Sequence, residues 1–152
     1  MKDDVMMKAI TIRQPFASLI AAGIKEYEFR TWKTNYRGEI LIHAGKGIDK
    51  EAMKKFELLN LCYPTGCIIA KANLTDCIPV TEAEKEKLRA RNFLVYSGTT
   101  EAPNWNGYGF KFENVERIEP ICMNGMLGLW EFNIKNTCGD SNEGNQTVLR
   151  NE

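Results

Sequence analysis

The chain has 152 residues, 43% of them apolar and 26% charged, with 20 basic side chains balanced by 20 acidic ones. That length predicts one domain able to bury a real core, and the composition is that of an ordinary soluble globular protein. Zero net charge excludes a whole-molecule field that draws in nucleic acid or an anionic membrane, so a polyanionic partner needs a local basic patch.

No apolar run approaches the ~20 residues needed to span a bilayer, so no membrane partner is expected. The start, MKDDVMMKAI, carries acids where a signal peptide has a basic region and a long apolar stretch, and the chain reads as cytoplasmic. Five cysteines (Cys62, Cys67, Cys77, Cys122 and Cys138) are an odd set for a disulfide framework. Cys62 and Cys67 are loosely spaced for zinc and no second pair follows. The expectation is free, buried thiols, with no metal and no cofactor.

Residues 1–7 read as a flexible start. Ala9 to Ile12 alternates and predicts a short strand. Gln14 to Gly23 predicts a short helix, with Pro15 suited to its first position and Gly23 to its stop; Phe16, Leu19 and Ile20 form the buried face. The stretch GIKEYEFRTW, residues 23–32, then alternates as a strand. Tyr27 and Phe29 share one face; Glu26, Glu28, Arg30 and Trp32 share the other. After a turn at residues 35–38, EILIHA predicts a strand covered on both sides, broken by Gly45-Lys46-Gly47. Asp49 caps a helix to about Asn60, with Ala52, Met53, Phe56 and Leu59 inward.

Cys67 to Cys77 predicts a long strand, and Thr81 with Glu84 a capping box for a charged helix ending near Asn92. A turn-rich loop, residues 97–107, precedes a strand on which Tyr108, Phe110 and Phe112 alternate, continuing towards Pro120. Residues 126–134 form the last strand, and from residue 135 onward the polar chain predicts a disordered tail. Six strands and three short helices in mixed order favour a small α+β barrel.

Familiar catalytic signatures are absent: there is no GxSxG, no HExxH and no GxxxxGK[ST]. The polar face of the 23–32 strand is the strongest candidate site. Trp32 beside Arg30 offers a surface for stacking on a base, Lys25 lies at the helix–strand junction where its side chain can turn into a cleft, and Lys33, Arg37 and Lys46 against only Glu39 make a local basic segment in a neutral chain. His43 reads as a core or cleft-edge histidine held by a hydrogen bond. Trp105 either plugs the barrel or belongs to a ligand-contacting lid.

The run IRQPFASLI at residues 12–20, followed by Gly23-Ile24-Lys25, Glu28, Arg30 and Trp32, resembles the signature of the ASCH domain family. The likeness continues through Tyr36-Arg37-Gly38, His43-Ala44, the YPTGC run at residues 63–67, and Gly128-Leu129-Trp130-Glu131. It spans residues 8–134. The resemblance implies a PUA-like β-barrel with peripheral helices and a cleft beside the first helix and second strand for RNA or a nucleotide-like ligand. Lys25, Glu28 and Arg30 would line it, with Gln14, Trp32 and Arg37 as neighbours; Lys33, His43 and Trp105 complete the ligand-binding candidates.

Some bacterial members of that family remove acetate from N4-acetylcytidine, using a pattern similar to GxKTxTxR in which the second threonine is the nucleophile. Here Glu28 occupies that position, and a carboxylate serves as a general base on water rather than as an attacking hydroxyl. Other members are ribonucleases, which makes Lys25 and Glu28 a candidate catalytic pair. Three readings follow: an RNA or nucleotide-like ligand module, a hydrolase of a modified nucleoside or RNA, and a module for a protein partner.

Overall fold

The computed structural model describes residues 4–98, 105–134 and 148–149. Its strands are β1 (Met6–Gln14), β2 (Tyr27–Arg30), β3 (Gly38–Ile48), β4 (Cys67–Pro79), β5 (Tyr108–Cys122), β6 (Leu129–Asn133) and the two-residue β7 (Val148–Leu149). Its helices are α1 (Phe16–Ala21), α2 (Lys50–Lys55), α3 (Glu82–Arg91) and α4 (Phe93–Tyr96), with a 3-10 turn at Glu57–Leu59. Most of the expected disordered tail lies outside the described residues; within it, the backbone of Val148–Leu149 pairs antiparallel with β6.

All strands join one mixed sheet in the order β2-β5-β4-β3-β1-β6-β7. β1 runs parallel to β3 and antiparallel to β6; the other pairings are antiparallel. The α+β class expected from the sequence holds, but the sheet does not close into a barrel. Closure needs a continuous ladder around the ring. β2 is only four residues long and, among the described residues, pairs with β5 alone, while both flanks of β1 are taken by β3 and β6. A side chain bridges the resulting seam: the Arg30 guanidinium donates to the Thr11 carbonyl oxygen of β1 at 2.7 Å.

Helix α1 starts after Pro15, which sits at the cap rather than in the first turn, and the Gln14 side chain accepts the Ser18 N–H at 2.9 Å. Asp49 and Thr81 cap α2 and α3 as their sequence patterns predict. β3 runs through Gly45-Lys46-Gly47 instead of breaking there. A Cβ at Gly45 would lie 2.8 Å from Thr11 Cγ2, so this glycine permits close approach of β1 and makes no turn.

Three apolar clusters hold the fold. The largest packs the sheet against α1 through Ile10, Ile20, Ile42, Phe110 and their neighbours. Trp130 and Phe132 centre a second. The third lies beneath the helices, where Leu19, Tyr27, Phe56, Leu88, Val95 and Tyr96 meet, and it carries the cavity described next.

Candidate functional site

The end of α1 determines where Lys25 goes. Gly23 takes the left-handed φ of +78°, and the Leu19 carbonyl oxygen accepts both the Ile24 and Lys25 N–H groups at 2.9 and 3.1 Å. This tight reversal turns the lysine inward, where only 4% of it is exposed. Its ammonium donates to the Tyr27 carbonyl oxygen and lies 4.7 Å from the Phe29 ring centre and 5.5 Å from that of Phe16. Burial holds the Lys25 pKa below the ordinary lysine value, and the nearby Glu28 carboxylate opposes that shift.

Glu28 is 9% exposed and divides its two oxygens. Oε1 lies 3.6 Å from Lys25 Nζ, and Oε2 accepts from Arg30 Nε at 3.0 Å. Arg30 therefore has two tasks, since its Nη2 spans the seam to Thr11. Beside this array opens a cavity of about 390 Å³, with Phe16, Phe29, Phe56 and Tyr96 among its walls and Asp49, Glu51 and Lys55 also in its lining. The arrangement sets a donor and an acceptor side by side among flat apolar faces, which suits the polar edge of an aromatic heterocycle. It also sets a carboxylate beside a lysine, the elements of acid–base work on a bound water.

The other expected site residues go elsewhere. Trp32 lies past the end of β2, so the two-residue alternation does not carry it into the cavity; it joins Lys8, Thr34, Tyr36 and Leu129 around a separate hollow. Lys33 and Arg37 are exposed, and Arg37 donates to the carbonyl oxygens of Thr34 and Tyr36. Gln14 is buried, its amide nitrogen donating to Ser18 Oγ and the Pro64 carbonyl oxygen at 2.8 and 2.7 Å. Trp105 packs edge-on against Phe29 at 6.2 Å and so backs one cavity wall. The basic character expected of the cleft also lies largely outside it. Lys25 and Lys55 face Glu28, Asp49 and Glu51 in the lining.

A family model described as the ASCH domain matches residues 10–121. The chain belongs to the ASCH domain family. Over 89 residues, 51% of this chain, it is 28% identical to activating signal cointegrator 1 of Mus musculus; over 81 residues, 45% of the chain, it is 32% identical to the protein of the same name in Homo sapiens. These matches span only 15% and 14% of those longer proteins. Among solved structures, ASCH from Zymomonas mobilis aligns over 95% of this chain and 87% of its own, with a TM-score of 0.54 at 17% identity. A tyrosine-to-phenylalanine mutant of that protein aligns over 96% and 90%, with a TM-score of 0.53 at 16% identity. At that identity the likeness establishes a shared ASCH fold.

The cavity of this ASCH domain contains residues that the sequence did not single out for a site. Phe56 reads from sequence only as a core position on α2, and α4 is not expected at all. Asn92 was the available signal: its side chain accepts the Val95 N–H at 3.2 Å and starts α4 directly after α3. That short helix delivers Val95 and Tyr96 to the cavity, and the Tyr96 hydroxyl accepts the Glu26 N–H at 2.8 Å. Among the described residues, no helix is long and apolar enough to cross a membrane, and no group of three His, Cys, Asp or Glu is placed to hold a metal.

His43 lies apart from the cavity, in a hollow it shares with Thr11, Lys46, Gly125 and Met126. It is 1% exposed, its Nε2 bonds the Met123 carbonyl oxygen at 2.8 Å, and its buried Nδ1 has no hydrogen-bond partner among the described residues. Burial lowers its pKa from 6.5, and the Met123 bond partly restores it. The unfolded chain therefore binds more protons below that ordinary value, and the histidine's contribution to stability falls as pH drops. Melting scans should show the wild type losing stability from about pH 6.5 downward, with a flatter profile for His43→Gln, whose amide still reaches Met123. Parallel profiles would contradict this.

Proposed function

We propose that this chain is a binding module for RNA, with an unpaired base, or the base of a nucleotide-like small molecule, seated in the cavity between α1, β2, α2 and α4. The observation that carries the reading is the Lys25–Glu28 donor–acceptor pair beside an aromatic-walled cavity of about 390 Å³. Because acids outnumber bases in the lining, the reading puts a neutral heterocycle inside and phosphates outside, towards exposed Lys33. Membership of a PUA-like family associated with RNA binding supports the same choice.

The test is anisotropy of labelled single-stranded RNAs at increasing salt, alongside calorimetry with free nucleosides. Each phosphate contact should add about 0.7 to the magnitude of the logarithmic salt slope. Glu28→Gln, which keeps the shape but loses the second strong acceptor, should weaken binding roughly tenfold, about 1.4 kcal/mol. Affinity that ignores both salt and this substitution would remove the proposal.

A second reading is favoured by one specific contact, the 3.6 Å approach of Lys25 to Glu28. In a hydrolase, Glu28 would take a proton from water while Lys25 stabilises the developing negative charge. Incubating wild type and Glu28→Gln with N4-acetylcytidine and with RNA tests it: turnover that disappears in the variant supports hydrolysis, and no turnover leaves binding alone.

A further inference from the structure

We propose that Cys67 and Cys122 form a dithiol modification site, which a low-molecular-weight disulfide such as oxidised glutathione converts into a cross-strand bridge. The two residues lie directly opposite each other in the antiparallel β4–β5 ladder. The hydrogen-bond pattern defines which kind of pair they are. Met123 N–H donates to the Gly66 carbonyl oxygen at 3.0 Å, one residue outside the pair on each strand. That pattern marks Cys67 and Cys122 as a non-hydrogen-bonded pair, the kind whose Cα atoms approach to about 4.5 Å and whose side chains stand closest. A disulfide needs Cα atoms roughly 4.4–6.8 Å apart, so the ladder already supplies the spacing. The irregularity between Ile68 and Ala70 leaves the adjoining backbone room to adjust.

Both thiols are free, but they are not both buried as the sequence suggests: Cys122 is exposed and Cys67 is buried. Cys122 is the entry point. Its thiolate attacks one sulfur of oxidised glutathione, forming a mixed disulfide and expelling one glutathione thiolate, which takes up the proton Cys122 gave. Cys67 then attacks the Cys122 sulfur and gives its own proton to the second departing glutathione. Two protein thiols are oxidised and one glutathione disulfide is reduced to two thiols. Burial and the neighbouring Cys122 hold the Cys67 pKa above the ordinary thiol value, so Cys67 suits the resolving step, in which proximity offsets low acidity.

The other cysteines with a described environment have no such partner. Cys77 faces Phe110 across the ladder, and Cys62 lies in the loop before β4. The bridge would fasten a structural junction. Gly66 N–H donates to the Ala44 carbonyl oxygen at 2.7 Å, and the Met123 carbonyl oxygen bonds His43. Oxidation would thus tie down the base of residues 124–127, which wall the His43 hollow.

The full chain, reduced and freed of reductant, is incubated with defined ratios of reduced and oxidised glutathione, quenched by alkylation and mapped by peptide mass. The expected first bridge joins Cys67 to Cys122, and the bridged protein has a raised Tm. Cys122→Ser, a change at an exposed position, should abolish the bridge and leave Cys67 reduced, whereas Cys62→Ser should leave bridging intact. A persistent glutathione adduct on Cys122 without resolution by Cys67 would overturn the proposal. So would a first bridge that involves Cys62, Cys77 or Cys138.

Discussion

Glu28→Ala should lower the stability of the chain by about 3–5 kcal/mol, the usual cost of leaving one member of a buried pair uncompensated. In the wild type the Lys25 ammonium has the Tyr27 carbonyl oxygen, two ring faces and the Glu28 carboxylate around it. Alanine removes the only one of these that carries a full negative charge, and it frees Arg30 from the contact that orients its other nitrogen towards Thr11. Urea denaturation measures the loss. Lys25→Met placed on Glu28→Ala should restore most of it, because no buried ammonium is then left unmatched.

The pH dependence gives a second check with a definite sign. Lys25 titrates lower in the folded chain than at the ordinary 10.5, so between those two values the unfolded chain binds the extra proton and stability rises with pH. Without Glu28 the folded value falls further and the window opens at lower pH. Glu28→Ala should therefore recover part of its deficit as pH increases. The comparison must be made against wild type, because buried Tyr96 and half-buried Tyr36, with pKa values pushed up, act in the opposite direction in both proteins. A deficit that stays constant with pH would show that Lys25 is not the group left exposed to the loss.

The second large effect is expected at Gln14. Gln14→Leu should cost about 3 kcal/mol, because it strands one buried and one half-buried polar group, the buried kind costing roughly 1–3 kcal/mol. The Ser18 N–H loses its acceptor and the Pro64 carbonyl oxygen loses its donor. These two bonds tie the first turn of α1 to the loop before β4, so the melt should lose midpoint without losing cooperativity. Gln14→Glu preserves the acceptor but not the donor and should fall between leucine and wild type. A near-neutral Gln14→Leu that abolished RNA binding would instead make Gln14 a ligand contact.

The sequence was most legible where side chains dictate local geometry. Gly23, Asp49 and Thr81 marked helix ends correctly because each exploits one conformational or capping property. Alternation in Tyr27–Arg30 sorted Glu28 and Arg30 to one face, and the Gly-Ile-Lys run directed attention to Lys25. Tertiary consequences were harder to read. Trp32 obeys the alternation on paper, but the strand stops at Arg30, and nothing in the local pattern gives that end. Phe56, Val95 and Tyr96 come from segments far downstream of Lys25 and meet it only through packing. Gly45 looked like a turn because its real reason, contact with Thr11 on another strand, is non-local.

The seam beside β2 has a consequence for the order in which the molecule comes together. Among the described residues β2 has one strand neighbour, β5, whose paired residues, Tyr108 to Lys111, come much later in the chain. Bringing such distant segments together carries a loop-closure cost, and a four-residue ladder returns little against it. The strand that presents Glu28 and Arg30 should therefore be among the last to lock and the first to detach. Amide hydrogens of Tyr27–Arg30 should exchange through local opening well before those of β3 and β4, and a molecule gripping the Lys25–Glu28 pair should slow that exchange. Recognition and the final stitch of the sheet would then be one event.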